Sequence, residues 1–154
     1  MIRFIIILIF FSLTSCKQKP AEFNLINGSW NIEKIENNGD NLLNRSLDPS
    51  KSNFYVAPYF HIFLDQKTFL IEVDAYNEVY FKADFEIKKK GKEIVMDVND
   101  SNNSKLIGRY TVKIDTLKPG IGDKNETYRI HLQSTNNTYI MARKTVVKSF
   151  LKTR

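Results

Sequence analysis

Residues 76–88 alternate between apolar and polar side chains, and this constrains the fold more than any other stretch of the chain. The odd positions read Asn77, Val79, Phe81, Ala83, Phe85 and Ile87, and the even ones Tyr76, Glu78, Tyr80, Lys82, Asp84, Glu86 and Lys88. Successive side chains of a strand point to opposite faces. The pattern therefore predicts one long antiparallel strand with a dry face and a wet one, bent near Ala83.

The same period recurs on both sides of it. Phe69, Ile71 and Val73 alternate with Leu70, Glu72 and Asp74. Ile94, Met96 and Val98 form another dry face, as do Leu106, Tyr110, Val112 and Ile114, and Tyr128, Ile130 and Leu132 oppose Arg129, His131 and Gln133. Turn-forming clusters separate the runs: Asp65-Gln66-Lys67, Lys90-Gly91-Lys92, residues 99–104, residues 118–125 and Asn136-Asn137. Asn, Asp and Gly tolerate the left-handed conformations of tight hairpins. Eight strands follow, at 28–36, 55–64, 67–75, 76–88, 92–98, 105–116, 126–134 and 138–144, with one long connection after the first. An all-β meander of this kind closes as a barrel or stacks as a sandwich. Helix is expected only in the 40–53 loop and in the C-terminal tail. There Val146, Val147, Phe150 and Leu151 recur at helical spacing among Lys148, Lys152 and Arg154. Such a short basic amphipathic helix either docks on the barrel or rests on anionic headgroups.

The N-terminal residues MIRFIIILIFFSLTSC read differently. Arg3 precedes an unbroken apolar run at residues 4–11, too short to cross about 30 Å of hydrocarbon as a helix. Leu13-Thr14-Ser15 then brings small residues up to Cys16. A charged start, a short apolar core and a small-residue cleavage site predict a secretory signal. The cysteine at the cut resembles the lipobox of bacterial lipoproteins. That resemblance implies that residues 1–15 are a removed signal peptide, that Cys16 is acylated, and that residues 16–24 tether a domain at 25–154 to the membrane. In such proteins the residue after the cysteine sorts between membranes. Lys17 is not the aspartate of inner-membrane retention, and Gln18, Lys19 and Pro20 lack the acidic run of surface export. The implied location is the bacterial outer membrane, facing the periplasm rather than the cell surface. Cys16 is also the chain's one cysteine, so no disulfide or cysteine-based metal site is expected.

The formal net charge is +6, with Arg3 the one charged residue of the signal. The basic residues are scattered, which gives no nucleic-acid footprint but weakly favours anionic surfaces.

Gly28-Ser29-Trp30 opens the first expected strand. A G-x-W followed by eight up-and-down strands resembles the lipocalin and lipocalin-like families. The resemblance implies an eight-stranded antiparallel (lipocalin-like) barrel in which Gly28 permits a bend and Trp30 plugs the closed end. It further implies that Arg143, in Tyr139-Ile140-Met141-Ala142-Arg143-Lys144, packs across the indole, with Tyr139, Met141 and Arg143 on one inward face. The disulfide cysteines and later motif of secreted lipocalins are absent, so the likeness is to the small lipocalin-like domains of bacterial lipoproteins.

An eight-stranded barrel encloses room for side chains or one small ligand. Phe69, Phe81, Phe85, Tyr110 and Tyr128 would line that interior, and Ala83 and Gly108 either leave room for a ligand or accommodate neighbouring rings. In the aromatic segment at residues 55–63, Pro58 marks a strand start or edge; Tyr55, Tyr59 and Phe60 are the candidates to line or gate a mouth. Two readings follow: an anchored barrel that binds a small hydrophobic ligand, or a filled barrel that binds an envelope protein partner. Catalysis and cofactors are not expected. His61 and His131 sit mid-strand, and no metalloprotease, nucleophile-elbow, phosphate-loop or calcium-loop motif occurs. Asn99-Asp100-Ser101-Asn102 lacks the glycine and terminal glutamate of a calcium loop.

Overall fold

A computed structural model of the chain describes residues 21–43, 58–73, 78–118 and 125–147. The expected all-β barrel forms. In chain order the strands are β1 (Gly28–Asn37), β2 (Asp40–Asn41), β3 (Pro58–Phe63), β4 (Thr68–Val73), β5 (Glu78–Lys90), β6 (Glu93–Ser101), β7 (Gly108–Leu117), β8 (Glu126–Ser134) and β9 (Thr138–Val146). Sequential antiparallel pairing from β3 to β9, with β1 bonded to both β3 and β9, closes eight strands into one barrel. β2 is an extra two-residue strand folded back on β1. It is reached through Asn38 and Gly39, both at positive φ (53° and 87°), the geometry that primed hairpin turns need.

A short helix α1 (Ala21–Ile26) covers one end of the barrel, termed the base. Residues 21–24, expected within the tether, thus belong to the folded unit. Phe23 and Ile26, three positions apart and so on one helix face, are both buried. At the opposite end, the top, a 3-10 turn (Ser104–Leu106) buries Leu106.

On β5 the even positions Lys82, Asp84 and Glu86 are exposed, while Ala83 and Phe85 are buried and Phe81 and Ile87 half-buried. Near the position of the expected bend the register with β6 shifts between Asp84 and Phe85, with Asn99 of β6 as the extra residue. A second irregularity, between Ile32 and Lys34 on β1, places Ile35 rather than Lys34 inside.

β9 departs from expectation. Its inward residues are Thr138, Ile140 and Ala142, with Tyr139, Met141 and Arg143 on the outer face. Both parities of this strand carry apolar residues, so its pattern alone is ambiguous. Pairing decides it: Leu132 lies opposite Ile140 and Ile130 opposite Ala142, and directly opposed residues share a face. The expected C-terminal helix does not begin at Lys144, because residues 144–146 continue β9. Residues 148–154, the 44–57 part of the long connection (Tyr55 included), and the signal and tether with Cys16 lie outside the described residues.

Candidate functional site

The barrel interior is filled by its own side chains. Trp30, Phe60, Phe69, Phe85, Met96 and Tyr110 are each at most 2% exposed. Side chains lining a ligand-sized void would expose surface to it. Phe60 and Phe69 instead meet edge to face at 5.1 Å, and Phe69 stacks on Phe85 at 6.1 Å, arrangements that add to area burial. Ala83 lies opposite Phe69 and is 1% exposed, so its small side chain accommodates the ring. Gly108 serves a neighbour too: the Asn136 side chain occupies the space beside it and donates to the carbonyls of Ile107 (2.7 Å) and Lys105 (3.2 Å).

The expected ligand-lining residues therefore divide. Phe60, Phe69, Phe85 and Tyr110 are core, and Phe81 and Tyr128 pack partly buried against it. Phe60 does not gate a mouth, because it pairs with Trp30 towards the base. Tyr59 points outward, its ring stacked on His61 at 5.7 Å.

Both ends are closed. At the base Gly28 takes φ +103°, a conformation that favours glycine, and so turns the chain from α1 into β1. Trp30 Nε1 donates to the Ile26 carbonyl at 2.8 Å. The cation over the indole is Lys144, with Nζ 5.2 Å from the ring. Lys144 also donates to the carbonyls of Asn27 (2.7 Å) and Leu25 (3.1 Å), satisfying groups that a helix end leaves without partners. Burial lowers the Lys144 pKa from its ordinary value. Arg143, expected in this role, is one residue away on the outer face. Its side chain is 52% exposed and its Nε lies 3.5 Å from Glu33.

At the top, polar groups close the barrel. Asn37 Nδ2 donates to Thr138 Oγ1 (2.9 Å) and to the Asn136 carbonyl (3.0 Å), and Tyr110 Oη donates to the Leu106 carbonyl (2.8 Å). Ser134 bonds Asn136, and the Thr138 amide donates to Ser134 Oγ at 3.0 Å. Burial pushes the Tyr110 phenol up to about 12.

Organised polar chemistry lies on the outside. A cleft of about 460 Å³ on the outer face of β7–β9 is lined by Thr111, Lys113, Asp115, His131, Gln133 and Tyr139. In it, His131 Nδ1 is 2.7 Å from Tyr139 Oη, and Nε2 is 3.1 Å from Asp115 Oδ2. The carboxylate and phenol together orient the imidazole and leave the Thr111 and Lys113 head groups to meet a ligand, while Gln133 Nε2 donates to the Ser134 carbonyl at 3.4 Å. Glu33 accepts from Arg129 (2.7 Å) beside it, and this hydrogen bond, more than any other contact, raises the Arg129 pKa. A second histidine, His61, is 2.7 Å from Ser29 Oγ and 3.4 Å from Glu72. These residue types occur in hydrolase triads, but strand N–H groups lie in the sheet plane and do not converge as an oxyanion hole requires. Among the described residues no group of three or more His, Cys, Asp or Glu is placed to hold a metal.

The β7–β9 cleft was not foreseen. Asp115 and His131 fall on wet faces in sequence, but Tyr139 is expected inward, and only the register of three strands brings the three together. Lys144 was likewise missed, although the β8–β9 hairpin register carries the signal. No family model matches the chain, and neither a curated protein nor a solved structure matches it.

Proposed function

We propose that this protein is a lipid-anchored lipoprotein of the bacterial cell envelope whose filled, lipocalin-like barrel binds a partner protein through its outer surface. One observation supports the choice between interior and exterior: of the aromatic residues expected to line or gate a cavity, Phe60, Phe69, Phe85 and Tyr110 are core residues at 0–2% exposure. The β7–β9 cleft is the surface we assign to recognition. It combines an aromatic ring, an oriented imidazole and the polar head groups of Thr111, Lys113 and Gln133, the mixture typical of interface hot spots and their rims. The anchor rests on the motif ending at Cys16.

A photoreactive amino acid in place of Gln133, introduced in the native host, tests the assignment. One defined protein adduct, lost when Tyr139→Ala is added, is expected. Equal labelling from Gln133 and from a position on the opposite wall, such as Lys82, would contradict it.

The hydrophobic-ligand reading keeps one observation in its favour. A cleft of about 360 Å³ between α1 and the barrel wall is lined by Phe23, Leu64 and Ile87, with Lys67 and Glu86.

A further inference from the structure

We infer that the base of the barrel is a membrane-facing surface, a rim of lysines that holds the domain against anionic phospholipid headgroups. The inference deepens the reading above and rests on its anchor for orientation, but not for the charge itself. Strand direction gathers α1, the 64–67 turn, the β5–β6 turn and the end of β7 at the base, whereas the Asn38-Gly39 turn, residues 102–107 and residues 135–137 lie at the top. The two ends differ in chemistry. Among the described residues the top turns are rich in asparagine and hold one lysine, Lys105. The base carries Lys67, Lys88, Lys89, Lys90, Lys92, Lys118 and Lys144, against Glu22, Asp65, Glu86, Glu93, Asp97 and Glu126.

Not all of that charge is available. Lys88 is held by Asp97 at 2.7 Å and Lys89 by Glu22 at 2.6 Å. Lys67, Lys90, Lys92 and Lys118 are exposed and make no ion pair among the described residues. The β5–β6 hairpin also runs past the β3–β4 turn, as β7 on its other side runs on to Leu117. The Lys67 carbonyl accepts from the Phe85 amide, so the stretch from Glu86 to Lys90 runs on past the neighbouring turn, a reach of about 16 Å at strand rise. The Lys89–Glu22 pair ties this hairpin tip to α1, and α1 begins where the tether ends. A fully extended tether from Cys16 to Ala21 spans at most about 18 Å. An acylated Cys16 therefore holds the lysine tip within reach of the headgroups, where each lysine strengthens association about five-fold. Charge complementarity and the path of the chain select one occupant, the anionic bilayer to which the anchor delivers the domain.

The test uses the full chain purified from host membranes, with the mass of the Cys16 peptide reporting acylation separately. The chain is placed in nanodiscs of phosphatidylcholine, or of phosphatidylcholine and phosphatidylglycerol in equal parts, and amide exchange is followed. In the anionic discs residues 64–67 and 88–92 should exchange about ten-fold more slowly than in the neutral ones. High salt or the pair Lys90→Glu and Lys92→Glu, both at exposed positions, should abolish the difference. Equal protection in the two lipids, or protection of the 135–137 turn instead, would overturn the inference. Should Cys16 carry no acyl group, the anchor reading fails, and flotation with anionic vesicles decides the rim alone. Binding at least about twenty-fold weaker in the double variant supports it, and no binding by the parent chain overturns it.

Discussion

The Lys144 ammonium stands 5.2 Å over the Trp30 ring while donating to the carbonyls of Leu25 and Asn27. One side chain from the last strand thus joins the helix at the base to the plug residue of the first strand, next to the β1–β9 seam that closes the barrel. Trp30 completes the tie by donating to Ile26.

Removing that cation should loosen the base. Lys144→Met keeps the aliphatic stem but leaves two carbonyls without a donor and the indole without its cation, at a cost of about 1–3 kcal/mol. Arg143→Met, one position away and exposed, should change stability by less than about 0.5 kcal/mol. Urea denaturation of both variants checks the contrast. A larger loss from Arg143→Met would return the plug role to the arginine.

Gly28→Ala isolates backbone strain. An added Cβ would meet only Lys144 Nζ at 3.5 Å, an ordinary contact, but φ is +103°. The expected cost is about 1 kcal/mol or more, from conformation rather than crowding. Thermal unfolding of the variant measures it.

Phe85→Ala should cost about 3–5 kcal/mol and open an apolar void between Phe69 and the β6 wall. Such a cavity binds small apolar molecules. Benzene should therefore raise the Tm of the variant and leave that of the parent unchanged. A rise in the parent would reveal interior space.

Asp97 sets an acid limit. Hydrogen bonding from Arg109, then from Lys88, lowers its pKa to about 2. An unfolded aspartate titrates near about 3.9, so the unfolded chain binds the proton more readily. The pairing is fully present above about pH 4 and is lost as pH falls through about 2. Urea midpoints between about pH 5 and 2 should fall less steeply in Asp97→Asn than in the parent; parallel slopes would contradict the assignment.

Strand number, order and most boundaries were legible because alternation is strict wherever one face is wet and one dry, as at Lys82, Asp84 and Glu86 against Ala83 and Phe85. It failed on β9, where Tyr139, Ile140, Met141 and Ala142 suit either face and the cation follows Leu132 opposite Ile140 instead. It missed α1, whose two buried residues make too short a period to stand out from a tether. Composition could not say whether the aromatics enclose a ligand or one another, since that depends on ring-to-ring geometry. Nor could it assemble Asp115, His131 and Tyr139, which come from three strands.

Native mass spectrometry of the protein, extracted gently from its own host membrane, tests the central claim most directly. A filled barrel that works through its outer face predicts a stoichiometric protein partner and no adduct on the barrel beyond the mass of the Cys16 acyl groups. A barrel that retains a separate, lipid-sized molecule after the partner is stripped away would contradict it.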